Sequence, residues 1–194
     1  MWSFFVLVIV CFCLRELDAL QNLMKDGVEA SIFDFSIPSA SDGRESPMSA
    51  LRRAGAKAYL LINVASQCGY TNSNYHEMRL LKEEFGGSLE IIAFPCDDFG
   101  HQEPGTNEEI QSFAYGHMQA NFPVVGKLGC SGAPGTHPLY EMLVDNMQLP
   151  ALTWNFFKFI TDADGKPFWA SPHDVSPKNL APIIHGYLER AGEL

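Results

Sequence analysis

Two uninterrupted apolar runs, residues 58–65 (AYLLINVA) and 89–94 (LEIIAF), have the pattern of strands buried on both faces. Between them Tyr75, Met78, Leu81 and Phe85 recur at helical spacing, and Gly86-Gly87 ends the pattern. Thr106-x-x-Glu109 is a capping box that opens a second helix through Ile110, Phe113 and Ala114. Residues 122–128 read as a further strand and 138–144 as the start of a short helix. Residues 154–160 and 166–169 flank Asp164-Gly165, the signal of a hairpin. Ser176-Pro177 caps a last helix whose apolar stripe is Leu180, Ile183, Ile184 and Leu188. Upstream, Val28, Ile32, Phe33, Phe35 and Ile37 alternate loosely as a strand or hairpin, and 39–47 is a polar turn region. The order is β-α-β-α-β, then helix, hairpin and helix. Two apolar strands joined by a helix form a right-handed parallel unit, so the expectation is an α/β fold with a central mixed sheet flanked by helices.

Composition narrows this further. The chain has 194 residues, 46% hydrophobic and 19% charged, enough to bury one core and too apolar for disorder. No linker divides it. A net charge of −10 excludes a general nucleic-acid binder, which needs a positive face. Residues 2–14 are apolar apart from Ser3 and are shorter than the about 20 residues of a spanning helix. They fit the core of a secretory signal, with Ala19 at a cleavage site, although no Lys or Arg precedes them. The expected organisation is a signal peptide over 1–19 and one domain over 20–194; a signal anchor and a buried N-terminal helix are the alternatives. Cleavage removes Cys11 and Cys13 and leaves Cys68, Cys96 and Cys130. Three thiols are not a disulfide framework. The C-terminal Gly192-Glu193-Leu194 matches an endoplasmic-reticulum retention signal only in its last two residues.

Cys68 falls between a buried strand and a helix, where α/β folds place their sites. Backbone N–H groups and the positive helix end favour an anion there, so a thiol in that place holds more thiolate, the attacking species. A buried structural cysteine is the competing reading, and Gly69, Thr71, Asn72 and Asn74 are too polar to cover one well. Thr71 occupies the second cysteine position of a Cys-x-x-Cys exchanger, which argues against a dithiol isomerase.

Three ordered segments carry a resemblance. Residues 63–71 (NVASQCGYT), 94–105 (FPCDDFGHQEPG) and Trp154-Asn155-Phe156 resemble the three motifs of the glutathione peroxidase family. The resemblance covers roughly residues 28–190 and implies a thioredoxin-like fold. It implies that Cys68 is the peroxidatic nucleophile, oxidised to a sulfenic acid, and that Trp154 and Asn155 donate hydrogen bonds to its sulfur. It also implies a thiol peroxidase acting on hydrogen peroxide and lipid hydroperoxides in the response to oxidative stress. The thiol reductant would be glutathione, thioredoxin or a protein disulfide isomerase, with no cofactor. The alternative is a redox relay that passes oxidation to a partner protein with little turnover.

The chain departs from the family pattern in three places. Where the second motif has Asn-Gln, the glutamine being catalytic, this chain has Asp97-Asp98. An ionised Asp98 facing the sulfur repels the thiolate; a protonated one donates a hydrogen bond; one turned to solvent leaves the site a donor short. Tyr115 stands where thioredoxin-using members carry a resolving cysteine. That leaves Cys96, the motif cysteine, as the resolving candidate, with a Cys68–Cys96 disulfide as the expected product and Cys130 as a spectator. The stretch between the 138–146 helix and Trp154 is short, as in monomeric members with an open site. No basic cluster offers itself to glutathione's carboxylates. The expected compartment is the endoplasmic-reticulum lumen or the exterior. The six histidines show no metal-ligand spacing, and Asp162-x-Asp164-Gly165 lacks the rest of a calcium loop.

Overall fold

The computed structural model describes residues 30–190; the segment expected to be a signal peptide, Cys11, Cys13 and the last four residues lie outside the described residues. Among the described residues six strands and four α-helices follow in order: β1 Ser36–Pro38, β2 Glu45–Pro47, β3 Ala58–Val64, α1 Thr71–Phe85, β4 Leu89–Pro95, α2 Asn107–Gln111, α3 Pro138–Asn146, β5 Lys158–Asp162, β6 Pro167–Ser171 and α4 Ala181–Arg190. The main sheet has the order β4-β3-β5-β6. β3 and β4 are parallel, with Ala58 opposite Leu89 and Val64 opposite Pro95; β5 and β6 run antiparallel to their neighbours. Among the described residues no helix is long and apolar enough to cross a membrane.

Every residue of β3 and β4 is buried because both sheet faces are covered. Ala58, Leu60, Ile62 and Val64 face one layer with Tyr75, Met78, Leu81 and Phe85 of α1 and Ile184 and Leu188 of α4. On the opposite face Phe94 meets Tyr140 of α3 edge-on at 5.7 Å, and Tyr140 meets Phe159 at 6.3 Å. Alternation along the strands divides the core in this way. The capping box of α2 is made in both directions between Thr106 and Glu109.

Several elements differ from the sequence pattern. Residues 122–128 form no strand: Val124 makes one isolated parallel bridge to Ala93. Pro123 lacks the N–H that a ladder needs, and a side chain at Gly126 would collide with the Pro38 carbonyl at 2.7 Å. The 39–47 stretch holds β2, which pairs with β1. Ile32–Asp34 is a 3-10 turn, capped reciprocally by Ser31 and Asp34. The second helix passes at Ser112 into a π-turn through His117. The last helix begins as a 3-10 turn, Pro177–Leu180. β5 starts only at Lys158, and the site's geometry supplies the reason.

Candidate active site

Cys68 lies in the turn between β3 and α1 and is 8% exposed. The turn is held from within. The Thr71 N–H donates to the Cys68 carbonyl at 3.1 Å. The buried Thr71 hydroxyl donates to the Ala65 carbonyl at 2.6 Å. Thr71 therefore closes the loop around Cys68 instead of serving as a second thiol.

Trp154, Asn155 and Phe156 are clamped against β3 by Asn63, the one amide in that apolar run. Its Nδ2 donates to the Trp154 carbonyl at 3.2 Å, and its Oδ1 accepts from the Phe157 N–H at 2.7 Å. The Asn63 carbonyl accepts from the Phe156 N–H at 2.7 Å. Phe156 is held at φ 67, a conformation that costs a bulky residue of order 1–3 kcal/mol and persists only where its surroundings enforce it. This bend keeps residues 154–157 out of the strand and delays β5. Trp154 is half-buried against the same core layer as Cys68, and Asn155 is fully buried.

The second motif wraps over this pair. The Gln67 N–H donates to the Gln102 carbonyl at 2.9 Å, next to Cys68. The Ser66 hydroxyl donates to Glu103 Oε1 at 2.6 Å. Burial pushes the Glu103 carboxyl above its ordinary value, against the lowering effect of the Ser66 hydrogen bonds. Lys127 donates to the carbonyls of Glu103 and Gly105. An open cleft beside Ser66 and Gln67 is walled by Pro104, Gly105, Ile110 and Phe113.

Two expectations about this motif are corrected. Asp98 Oδ2 accepts from the N–H groups of Cys130 at 2.7 Å and Ser131 at 2.9 Å. It anchors the loop after residue 129, so the carboxylate serves that loop and is not a donor to the Cys68 sulfur. Cys96 is not a free resolving thiol: it forms a disulfide with Cys130, Cα atoms 6.3 Å apart, and both residues are fully buried. Cys130 is thus a structural partner and not a spectator. The physical reason is strand alternation. Cys96 follows Phe94 on the α3 face, and Cys68 packs in the α1 layer. Among the described residues Cys68 is the free cysteine. The Asp98 carboxylate lies with these two sulfurs within 4.8 Å, but their mutual bond removes the thiolates a soft metal would take. Tyr115 is 45% exposed; its hydroxyl donates to the Phe122 carbonyl and accepts from the Val124 N–H, so it braces 122–124.

An Asp98→Ala substitution is expected to lose charge-assisted hydrogen bonds worth about 1.5–3 kcal/mol, read by thermal or denaturant unfolding. The Cys68 thiolate absorbance curve against pH should coincide with that of the wild type. A displaced curve would return Asp98 to the site.

Comparison with known proteins agrees with the geometry. The family model described as glutathione peroxidase matches residues 32–144. The chain belongs to the glutathione peroxidase family. It is 40% identical over 164 residues to the chloroplastic phospholipid hydroperoxide glutathione peroxidase 1 of Arabidopsis thaliana, covering 82% of this chain and 67% of that protein. The solved structure of T. cruzi GPX1 superposes with a TM-score of 0.61 at 27% identity, over 82% of this chain and 97% of that one. A thioredoxin-family thiol:disulfide interchange protein from Chlorobium tepidum, at 15% identity and a TM-score of 0.56, shares the fold over 79% of this chain and 92% of its own. The thioredoxin-like fold expected from the motifs is therefore the observed one.

Sequence reasoning missed Asn63, Gln102 and Lys158. The asparagine could have been found as the lone amide in a buried run. Lys158 gives no such signal, since a lysine in a strand reads as an exposed position. It is fully buried, its amine lies 3.4 Å from the Pro172 and His173 carbonyls, and burial pulls its pKa down to about 8. It holds the turn that carries His173, whose ring meets Tyr70 beside Cys68 edge-on at 5.5 Å.

Proposed function

We propose that this chain is a cysteine thiol peroxidase that reduces hydrogen peroxide and lipid hydroperoxides through Cys68. The observation that carries the reading is a free cysteine at the strand–helix turn, in a core cluster against which Trp154 packs. The thiolate attacks one peroxide oxygen, the O–O bond breaks, and the departing hydroxide or alkoxide takes a proton. The products are a Cys68 sulfenic acid and water from hydrogen peroxide, or an alcohol from a lipid hydroperoxide. Fixed donors stabilise charge on sulfur and oxygen during this transfer; the indole N–H of Trp154 and the amide of Asn155 are the proposed donors. A cysteine only 8% exposed admits the narrow –OOH head of a substrate whose bulk stays outside.

The sulfenic acid is resolved by an external thiol, because Cys96 and Cys130 are bonded to each other. That thiol forms a mixed disulfide with Cys68 and releases water; a second thiol then frees Cys68. A dithiol protein such as thioredoxin or a protein disulfide isomerase is the proposed reductant, since the anionic chain offers glutathione little to hold its carboxylates. The relay reading loses one of its two supports, the Cys96 thiol, and keeps only the absence of a helix cysteine at Tyr115. The proposed setting is a monomer in the endoplasmic-reticulum lumen or outside the cell, with residues 1–19 as a signal peptide. The apolar 2–14 segment supports that setting, and a buried disulfide suits an oxidising compartment.

Stopped-flow tryptophan fluorescence after peroxide addition, followed by separate turnover with glutathione, thioredoxin and protein disulfide isomerase, tests this. Fast oxidation and turnover with a dithiol protein are expected. Turnover with glutathione alone would reverse the choice of reductant, and absence of oxidation would end the peroxidase reading.

A further inference from the structure

With Asp98 committed to the Cys130-Ser131 loop, the motif's usual amide is missing from the site. A different amide lies against Asn155. Gln102 Oε1 accepts from Asn155 Nδ2 at 3.0 Å, while the longer contact of the same nitrogen, to the Phe99 carbonyl, is 3.4 Å. Asn155 is fully buried and its Oδ1 has no partner, so the Gln102 bond is the main restraint on which way the amide plane turns.

The backbone delivers Gln102 to this place. Gly100 and His101 are consecutive residues at positive φ, 65 and 50, and together they reverse the chain. A Cβ at Gly100 would lie 3.4 Å from the Trp154 ring and 3.6 Å from the Gln102 side chain, so the loop sits directly on the Trp154-Asn155 segment. The Gln102 carbonyl is meanwhile bonded to the N–H of Gln67, the neighbour of Cys68. One residue thus holds both halves of the site, the nucleophile loop through its main chain and the amide through its side chain.

We propose that Gln102 is a positioning residue of the peroxidase reaction, which orients the Asn155 amide through its Oε1 acceptor. The proposal rests on the peroxidase reading of Cys68. Gln102 does not touch the reacting sulfur in this account. Its effect passes through Asn155, and a misplaced catalytic group is costly even at small displacements.

The test is the second-order rate of Cys68 oxidation by hydrogen peroxide across pH for wild type, Gln102→Met, Gln102→Glu, Asn155→Ala and the Gln102→Met/Asn155→Ala double variant. Gln102→Met keeps the volume and removes the acceptor; a loss of roughly ten-fold is expected, about 1.4 kcal/mol of transition-state stabilisation. Gln102→Glu keeps an oxygen acceptor. Its added negative charge should move the rate profile to higher pH, with a plateau close to that of the wild type. In the Asn155→Ala background Gln102→Met should cost almost nothing, the sign of two residues acting as one unit. A wild-type rate in Gln102→Met, a Gln102→Glu plateau as low as that of Gln102→Met, or equal losses in both backgrounds would each overturn the proposal. A wild type that peroxide does not oxidise would instead overturn the reading beneath it.

Discussion

Cys68→Ser is expected to reduce peroxide consumption to that of buffer alone. The reaction needs a nucleophile that can accept an oxygen atom. Sulfur in a thiol can do so and is intrinsically very nucleophilic, whereas an alcohol with no adjacent base is a poor nucleophile and cannot be oxidised in this way. No other described cysteine can substitute, because Cys96 and Cys130 are joined in a fully buried bridge. The variant should fold normally, since the Thr71 bonds that shape the turn go to main-chain carbonyls and not to the sulfur. The check is peroxide consumption in the presence of each candidate reductant, beside the unfolding curve. Residual consumption near the wild-type rate would mean that another group carries the chemistry.

Cys96→Ser and Cys130→Ser should have a different signature, a large loss of stability with the Cys68 chemistry kept. The bridge spans a sequence separation of 34 and ties the end of β4 to the loop that leads into α3. Closing a loop of that size restrains the unfolded chain by about 4 kcal/mol in the chain-entropy account. For a domain of this size that is a fall in melting temperature of roughly 10 °C. Each single variant also buries a serine hydroxyl where a sulfur was. The double variant should be no less stable than the two single losses imply if they added independently, because either change breaks the same bond. At a temperature where the variants remain folded, Cys68 oxidation should proceed at nearly the wild-type rate. Loss of Cys68 oxidation in folded Cys96→Ser alone would restore Cys96 to a role in the reaction.

The central architecture was legible in local pattern. The 58–65 and 89–94 runs carry the mark of strands covered on both faces, and the Tyr75-to-Phe85 spacing that of a helix burying one side. Cys68 therefore had to lie at a strand–helix turn, and the Thr106–Glu109 cap had to open a helix. These features rest on local periodicity and on side chains within a turn of one another, which a single chain displays directly. The failures fall where the deciding partner is distant. Asp98 looked catalytic because its neighbours fit a motif, yet its acceptors' partners are the N–H groups of Cys130 and Ser131. Cys96 looked like the partner of Cys68 because both end adjacent strands. The sheet has two faces, however, and alternation sent Cys96 to the α3 side, where Cys130 waits. The late start of β5 depends on Asn63, more than ninety residues upstream, and the orientation of Asn155 depends on Gln102. Hydrogen bonds and disulfides form between groups that folding brings within a few ångströms. Local pattern says which groups exist and which way they alternate, and only the packed sheet decides which of them meet.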